Sequence, residues 1–181
     1  VGLCANKLEP ANILPKAIET AVLAAQKRGD ASSKPGRQFV LSMSGAGKPG
    51  RVIICGCGDK AKDYDLAARD RALGLAAQVA LGLGNKRLVL ALAASSPGTD
   101  DTPTALRRGI QAAGHACYRF DECRSTKPPR QNLKTLAFPV PAGLDKKQAQ
   151  SILKQATSVV AGMDLARDLG NRPGNLCTPT D

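Results

Sequence analysis

Tryptophan is absent from this chain, and two Tyr and three Phe are its whole aromatic content in 181 residues. A core without large rings is filled by Ala, Leu and Val, which favours helices packed on a sheet over an aromatic-rich β sandwich. Apolar residues still make up 43% of the sequence. At this length that suits one domain with a substantial core, or one domain plus a short extension. No apolar run approaches the roughly 20 residues that span a bilayer, so no membrane partner is expected, and no signal peptide is visible. There is one histidine, His115, and no C-x-x-C. A structural zinc site needs about four clustered Cys or His ligands, so no metal ligand is assigned. The cysteines at 4, 55, 57, 117, 123 and 177 read as reduced, intracellular thiols in a chain too long to depend on disulfides.

Positive charge is in excess, with a formal net charge of +11. The Lys and Arg are spread from Lys27-Arg28 to Lys146-Lys147 without interleaved aromatics, unlike a single-strand binder that stacks bases. A solvated basic surface is the plain reading. Salt-dependent attraction to a phosphate backbone is the sharper one.

Apolar residues at three- and four-residue spacing predict helices over about 13–28, capped by Asn12, over 64–83, from Pro103 through Phe120, and over 146–169, the last with Ile152, Ala156, Val159, Val160, Met163 and Ala166 inward. Between them lie runs expected as strands: Gln38 to Met43, Arg51 to Gly56, Leu88 to Ala94 and Thr135 to Val140. RVIICG has the continuous β-branched character of a strand buried on both faces. Alternation of strands and amphipathic helices predicts an α/β domain: three layers, a largely parallel mixed sheet, and helices on both faces. Val1 to Cys4 reads as the tail of a strand that begins upstream. Pro173-Gly174 breaks regular structure, and Thr178-Pro179-Thr180-Asp181 is a helix-start signal with no helix behind it. An excerpt of a longer protein is therefore expected.

No catalytic constellation emerges. Gly56-Cys57-Gly58-Asp59-Lys60-Ala61 fits a dinucleotide glycine pattern after a strand. The acid that would hold the ribose is missing from Ala94-Ser95-Ser96, and Asp59 opposes a phosphate, so a plain strand-to-helix turn is preferred. Ser44-Gly45-Ala46-Gly47-Lys48 lacks the following Ser or Thr and the helix of a phosphate loop. His115 lies in a helical pattern with no nucleophile elbow nearby and reads as a surface or packing residue. Asp63, Asp65, Asp70, Asp100, Asp101, Asp121 and Glu122 read as caps and solvated charges.

The C-terminal stretch carries a resemblance. Ala166-Arg167-Asp168-Leu169, Asn171-Arg172-Pro173-Gly174-Asn175 and Thr178-Pro179 closely resemble the linker of the leucyl (cytosol) aminopeptidases. Gly29-Asp30 with Lys34-Pro35-Gly36, RVIICGCGDK, and Tyr118-Arg119-Phe120-Asp121 fit the same family in order, over nearly the whole chain. The resemblance implies a macro-domain-like, non-catalytic N-terminal domain over 1–168 and a linker over 169–181. It implies a cytoplasmic homohexameric parent that removes N-terminal residues from peptides with two divalent metals, zinc or manganese. The family's metal ligands and catalytic Lys and Arg lie in its C-terminal domain, whose Asn-Thr-Asp-Ala-Glu-Gly-Arg motif has no counterpart here. No catalytic, cofactor-binding or metal residue is therefore carried over. Some bacterial relatives act as DNA-binding factors and macro-like folds often bind ADP-ribose, so DNA or a phosphate-bearing ligand is the alternative partner.

Overall fold

The structure is a computed structural model and describes residues 1–4, 7–9, 14–43, 50–58, 65–94, 101–126 and 132–176. The central strand is β4, Arg51–Gly58, for which the run of Val, Ile and Cys provides buried side chains on both faces. It pairs in parallel with β1, Gly2–Cys4, and antiparallel with β3, Gln38–Ser42; β1 also pairs antiparallel with β2, Lys7–Glu9. The order is β2-β1-β4-β3. A second, two-stranded parallel sheet joins β5, Arg87–Val89, to β6, Thr135–Ala137. Two of these ladders are parallel and two antiparallel, so the mixed character is as expected.

Alternation along β4 builds the layers. Val52 and Ile54 pack with Ile18, Val22 and Ala25 of α1, Lys16–Arg28. Ile53, Cys55 and Cys57 face the other way, into a core closed by α2, Leu66–Gly82, α3, Thr102–Ala116, and the first half of α4, Lys146–Asn171. The Ala content explains the close layering. Ala72, Ala76, Ala77 and Ala80 give α2 a flat face against the sheet, and Ala113 and Ala156 are fully buried. Each larger side chain that closes this core, such as Leu73, Leu106 or Ile110, contributes about 1.5–3 kcal/mol by leaving water.

Local signals set the helix ends. Asp65, Asp101 and Asp145 accept hydrogen bonds from the amides of Ala68, Thr104 and Gln148, and Gln148 returns a side-chain bond to complete a capping box. Helix α1 starts later than its periodicity suggests, at Lys16 after Pro15; its expected cap, Asn12, lies outside the described residues. Leu88 to Ala94 does not form one strand: β5 stops at Val89 and Ala91–Ala94 winds into a 3-10 turn. Val89 is the one β-branched residue in that run, and Ala has little preference for a pleated surface. Helix α4 continues to Asn171, and Arg172 is pushed to an extended conformation ahead of Pro173.

Candidate functional site

Of the residues weighed from the sequence, Gly56 and Gly58 shape a turn of the fold and Asp65 and Asp101 cap helices. The two glycines at the end of β4 are needed by a neighbouring loop. A Cβ on Gly56 would lie 2.1 Å from the Lys34 carbonyl oxygen. The Gly56 amide donates to the Arg37 carbonyl and the Gly58 amide to that of Ser33, at 2.9 and 2.8 Å. Gly58 has φ 142°, which a side chain would strain. The remainder of that motif, Asp59 to Ala61, and residues 44–49 of the SGAGKPG stretch lie outside the described residues.

His115 sits in the last turn of α3, with Nδ1 buried and without a hydrogen-bond partner. Loss of water, and then the nearby Arg167 guanidinium, lower its pKa against an opposing effect of Asp164. Asp65 and Asp101 are caps, as expected. Asp70 is more than a solvated charge: it pairs at 2.7 Å with Arg69, whose side chain is fully buried, and at 2.9 Å with Arg108. Arg69 also donates to the Ala105 carbonyl at 2.5 Å, which ties α2 to α3. Four described cysteines, Cys55, Cys57, Cys117 and Cys123, are free thiols. Burial raises the Cys55 pKa to about 11, so that thiol is not a nucleophile at neutral pH.

The arrangement with most bearing on function is the second half of α4. Gly114 lets α3 and α4 touch, with Val160 filling the space a Cβ would take. Beyond that crossing, the segment after α3 grips the end of α4. The Tyr118 hydroxyl donates to Asp168 at 2.9 Å and accepts from the Asn171 amide at 3.0 Å. The Arg167 guanidinium lies 5.1 Å from the centre of the Tyr118 ring, within cation–π range. Arg172 makes a fork on Glu122, at 2.7 and 2.9 Å, and that bond holds the Glu122 pKa below its ordinary value. The outer face of the same helix is apolar. Val159, Met163, Leu165 and Leu169 are each more than 40% exposed, and Val159, Met163, Ala166 and Leu169 follow helical spacing along one side. A helix fixed in place by polar contacts while its apolar side faces outward is suited to carry another surface.

Comparison with known proteins identifies the family of the chain. The model for the N-terminal domain of the cytosol aminopeptidase family matches residues 3–127. The chain belongs to the cytosol aminopeptidase family. A probable cytosol aminopeptidase of Alkalilimnicola ehrlichii is 36% identical over 97% of this chain and 35% of its own length. One from Burkholderia cenocepacia is 35% identical over 85% of this chain and 30% of its own. The chain thus spans about a third of the length of these curated relatives. Among solved structures, the bottromycin maturation enzyme BotP superposes with a TM-score of 0.72 at 20% identity, covering 99% of this chain and 34% of that one. A tomato leucine aminopeptidase variant gives 0.72 at 20% identity over 97% of this chain and 34% of its own. At that identity they establish the shared fold. A further BotP structure is a complex with Mn, which is a property of that protein. Among the described residues of this cytosol aminopeptidase domain, no three His, Cys, Asp or Glu side chains group to hold a metal ion. The donors among the described residues do not fit a two-metal centre.

Sequence reading did not single out Tyr118, Asp168, Asn171, Glu122 and Arg172 as one cluster. Each stood in a family-like stretch, but the partners are about 50 positions apart and only the α3–α4 packing brings them together.

Proposed function

We propose that this domain is the non-catalytic, assembly-supporting part of a cytoplasmic aminopeptidase. The longer protein releases N-terminal residues from peptides by hydrolysis with two divalent metals, zinc or manganese, and works as a homohexamer. The catalytic groups belong to a C-terminal domain, joined through 169–181, and domain 1–168 presents α4 to it. The observation that carries this reading is the match to the family's N-terminal domain. The outward apolar face of α4, held by Tyr118 and Glu122, supports it.

The test compares this chain with the longer protein on leucyl p-nitroanilide, with and without added Mn²⁺ or Zn²⁺. The longer chain is expected to turn over substrate, to lose activity to a chelator and to regain it with metal, while this chain stays at background. Turnover by this chain at the rate of the longer one would refute the proposal. The competing reading, binding of DNA or ADP-ribose, rests on the net charge of +11. It predicts a DNA complex lost between about 50 and 200 mM salt, or saturable ADP-ribose binding.

A further inference from the structure

His115 sits in the last turn of α3, one residue beyond the point where Val160 of α4 fills the space beside Gly114. Its Nδ1 is buried and has no hydrogen-bond partner among the described residues. An imidazolium carries a proton on both ring nitrogens, so the charged ring would leave a buried N–H unmet. Two charged groups of α4 act on it, Arg167 against the proton and, less strongly, Asp164 in its favour. In the segment after α3, the same Asp164 acts on the Cys117 thiol, and the Tyr118 ring lies under the Arg167 guanidinium. Helix α2 meets this part of α3 at Gly74, against Ala112 and Ala116. Its charged residues are engaged nearer the start of α3, Arg69 at Ala105 and Asp70 at Arg108, while Arg71 is exposed. On α3 itself the preceding charges, Arg107 and Arg108, are about two turns back.

We propose that His115 is an acid-sensitive catch: protonation of its ring displaces Arg167 and frees the last turns of α4 from the segment after α3. Like charge pushes the Arg167 guanidinium away, and the imidazolium competes with it for Asp164, which Arg167 holds at 3.4 Å. The Arg167 side chain is 36% exposed, so it has a path into water. Its departure uncovers the Tyr118 ring, whose hydroxyl holds Asp168 at 2.9 Å and Asn171 at 3.0 Å. Little else secures this end of the helix. The buried residues of α4 are Ala149, Ile152 and Ala156, all in its first half, whereas Val159, Met163, Leu165 and Leu169 are exposed. The remaining tie is the fork from Arg172 to Glu122, between side chains in contact with solvent, and such pairs hold weakly in water. A helix end with few buried contacts opens locally while the rest of the domain stays folded. Under the function proposed above this end leads into the linker, so acid would loosen the joint between domains; the catch itself rests on contacts within this chain.

While the catch is closed, burial and then Arg167 hold the His115 pKa below its ordinary 6.5, and release restores the ordinary value. Falling pH therefore favours the released state, by up to about tenfold between pH 7.5 and 5.5. Hydrogen exchange of the longer natural protein, read by mass spectrometry and corrected for the pH dependence of exchange in unstructured peptides, tests this. Over that pH range peptides from 165–172 are expected to lose protection by about three- to tenfold. Those from 149–158 should change by less than about twofold. In His115→Gln, or in His115→Asn if the first variant does not fold, the loss at 165–172 is expected to vanish. Unchanged protection at 165–172, an equal loss in both halves of α4, or the same loss in the variant each overturns the proposal. None of these outcomes depends on peptidase activity, so they leave the aminopeptidase reading to its own test.

Discussion

Gly114 offers the sharpest test of the packing described above, because the same substitution should change sign with its neighbour. A Cβ at Gly114 would lie 2.9 Å from both methyl carbons of Val160 and 3.4 Å from its Cβ. Both methyls are crowded, and a β-branched side chain has little rotamer freedom in a helix, so rotation of Val160 cannot clear the contact. Overpacking of this kind costs about 1–3 kcal/mol. Against it, Ala is favoured over Gly inside a helix by about 1 kcal/mol, less near the end of α3 where Gly114 sits. Gly114→Ala should therefore destabilise by up to about 2 kcal/mol, a fall in Tm of about 2–4 °C per kcal/mol for a chain of this size. With Val160→Ala already in place the clash is gone, and the same Gly114→Ala should stabilise by up to about 1 kcal/mol. Urea unfolding of the wild type, both single variants and the double variant gives the coupling, expected at about 1–3 kcal/mol. Equal effects of Gly114→Ala in the two backgrounds would show that α3 and α4 do not meet there.

Gly56→Ala should be harder to accommodate, with a loss of about 3 kcal/mol or more in the free energy of urea unfolding, because its neighbour is the Lys34 backbone and not a movable side chain. Peptide mapping after brief iodoacetamide treatment should show Cys123 modified well before Cys55 and Cys57, since Cys123 is exposed and the other two are buried; equal labelling of the three in native protein would contradict that burial. His115 has a pKa below its ordinary 6.5, so the unfolded chain takes up the proton first as pH falls. Stability should then be lost from about pH 6.5 downward until the folded-state pKa is passed, and His115→Gln should flatten this part of a stability–pH profile; a profile unchanged by that substitution would count against it. Asp145→Ala should cost about 1 kcal/mol through the lost capping box of α4, read by the same urea unfolding, and an unchanged midpoint would dismiss the cap as a support of the helix.

The legible parts of the fold were those written in local pattern. Periodicity located α2 and α3 to within a few residues, because a helix that buries one side must repeat its apolar positions every three or four residues; in α4 the repeat marks the helix, but only its first half is buried, at Ile152 and Ala156, while Val159 and Met163, expected inward, are exposed. The β-branched run of β4 marked it as central, and Asp65 and Asp101 could be read as caps. Strand β2 escaped notice because three residues carry no periodicity and it exists as the hairpin partner of β1. Alanine-rich Leu88 to Ala94 misled for a related reason: an apolar run of that length is compatible with strand or helix until its neighbours are known. The family resemblance was legible as motif, in ARDL, NRPGN and YRFD, though not the physical reason those stretches hold together.

By itself the sequence determined the α/β class, the order of the four helices and of strands β3 and β4, and membership of the cytosol aminopeptidase family, because each depends on residues close together along the chain. Tertiary structure decided what individual residues are for. Arg69 looks like a surface charge in a helix and is fully buried on the Ala105 carbonyl. Gly56 looks like part of a phosphate turn and makes room for the Lys34 backbone. Tyr118 looks like one of few aromatics and pins Asp168 and Asn171. In every case the deciding partner lies more than 20 positions away, and only packing brings such groups within the few ångströms over which clashes and hydrogen bonds act.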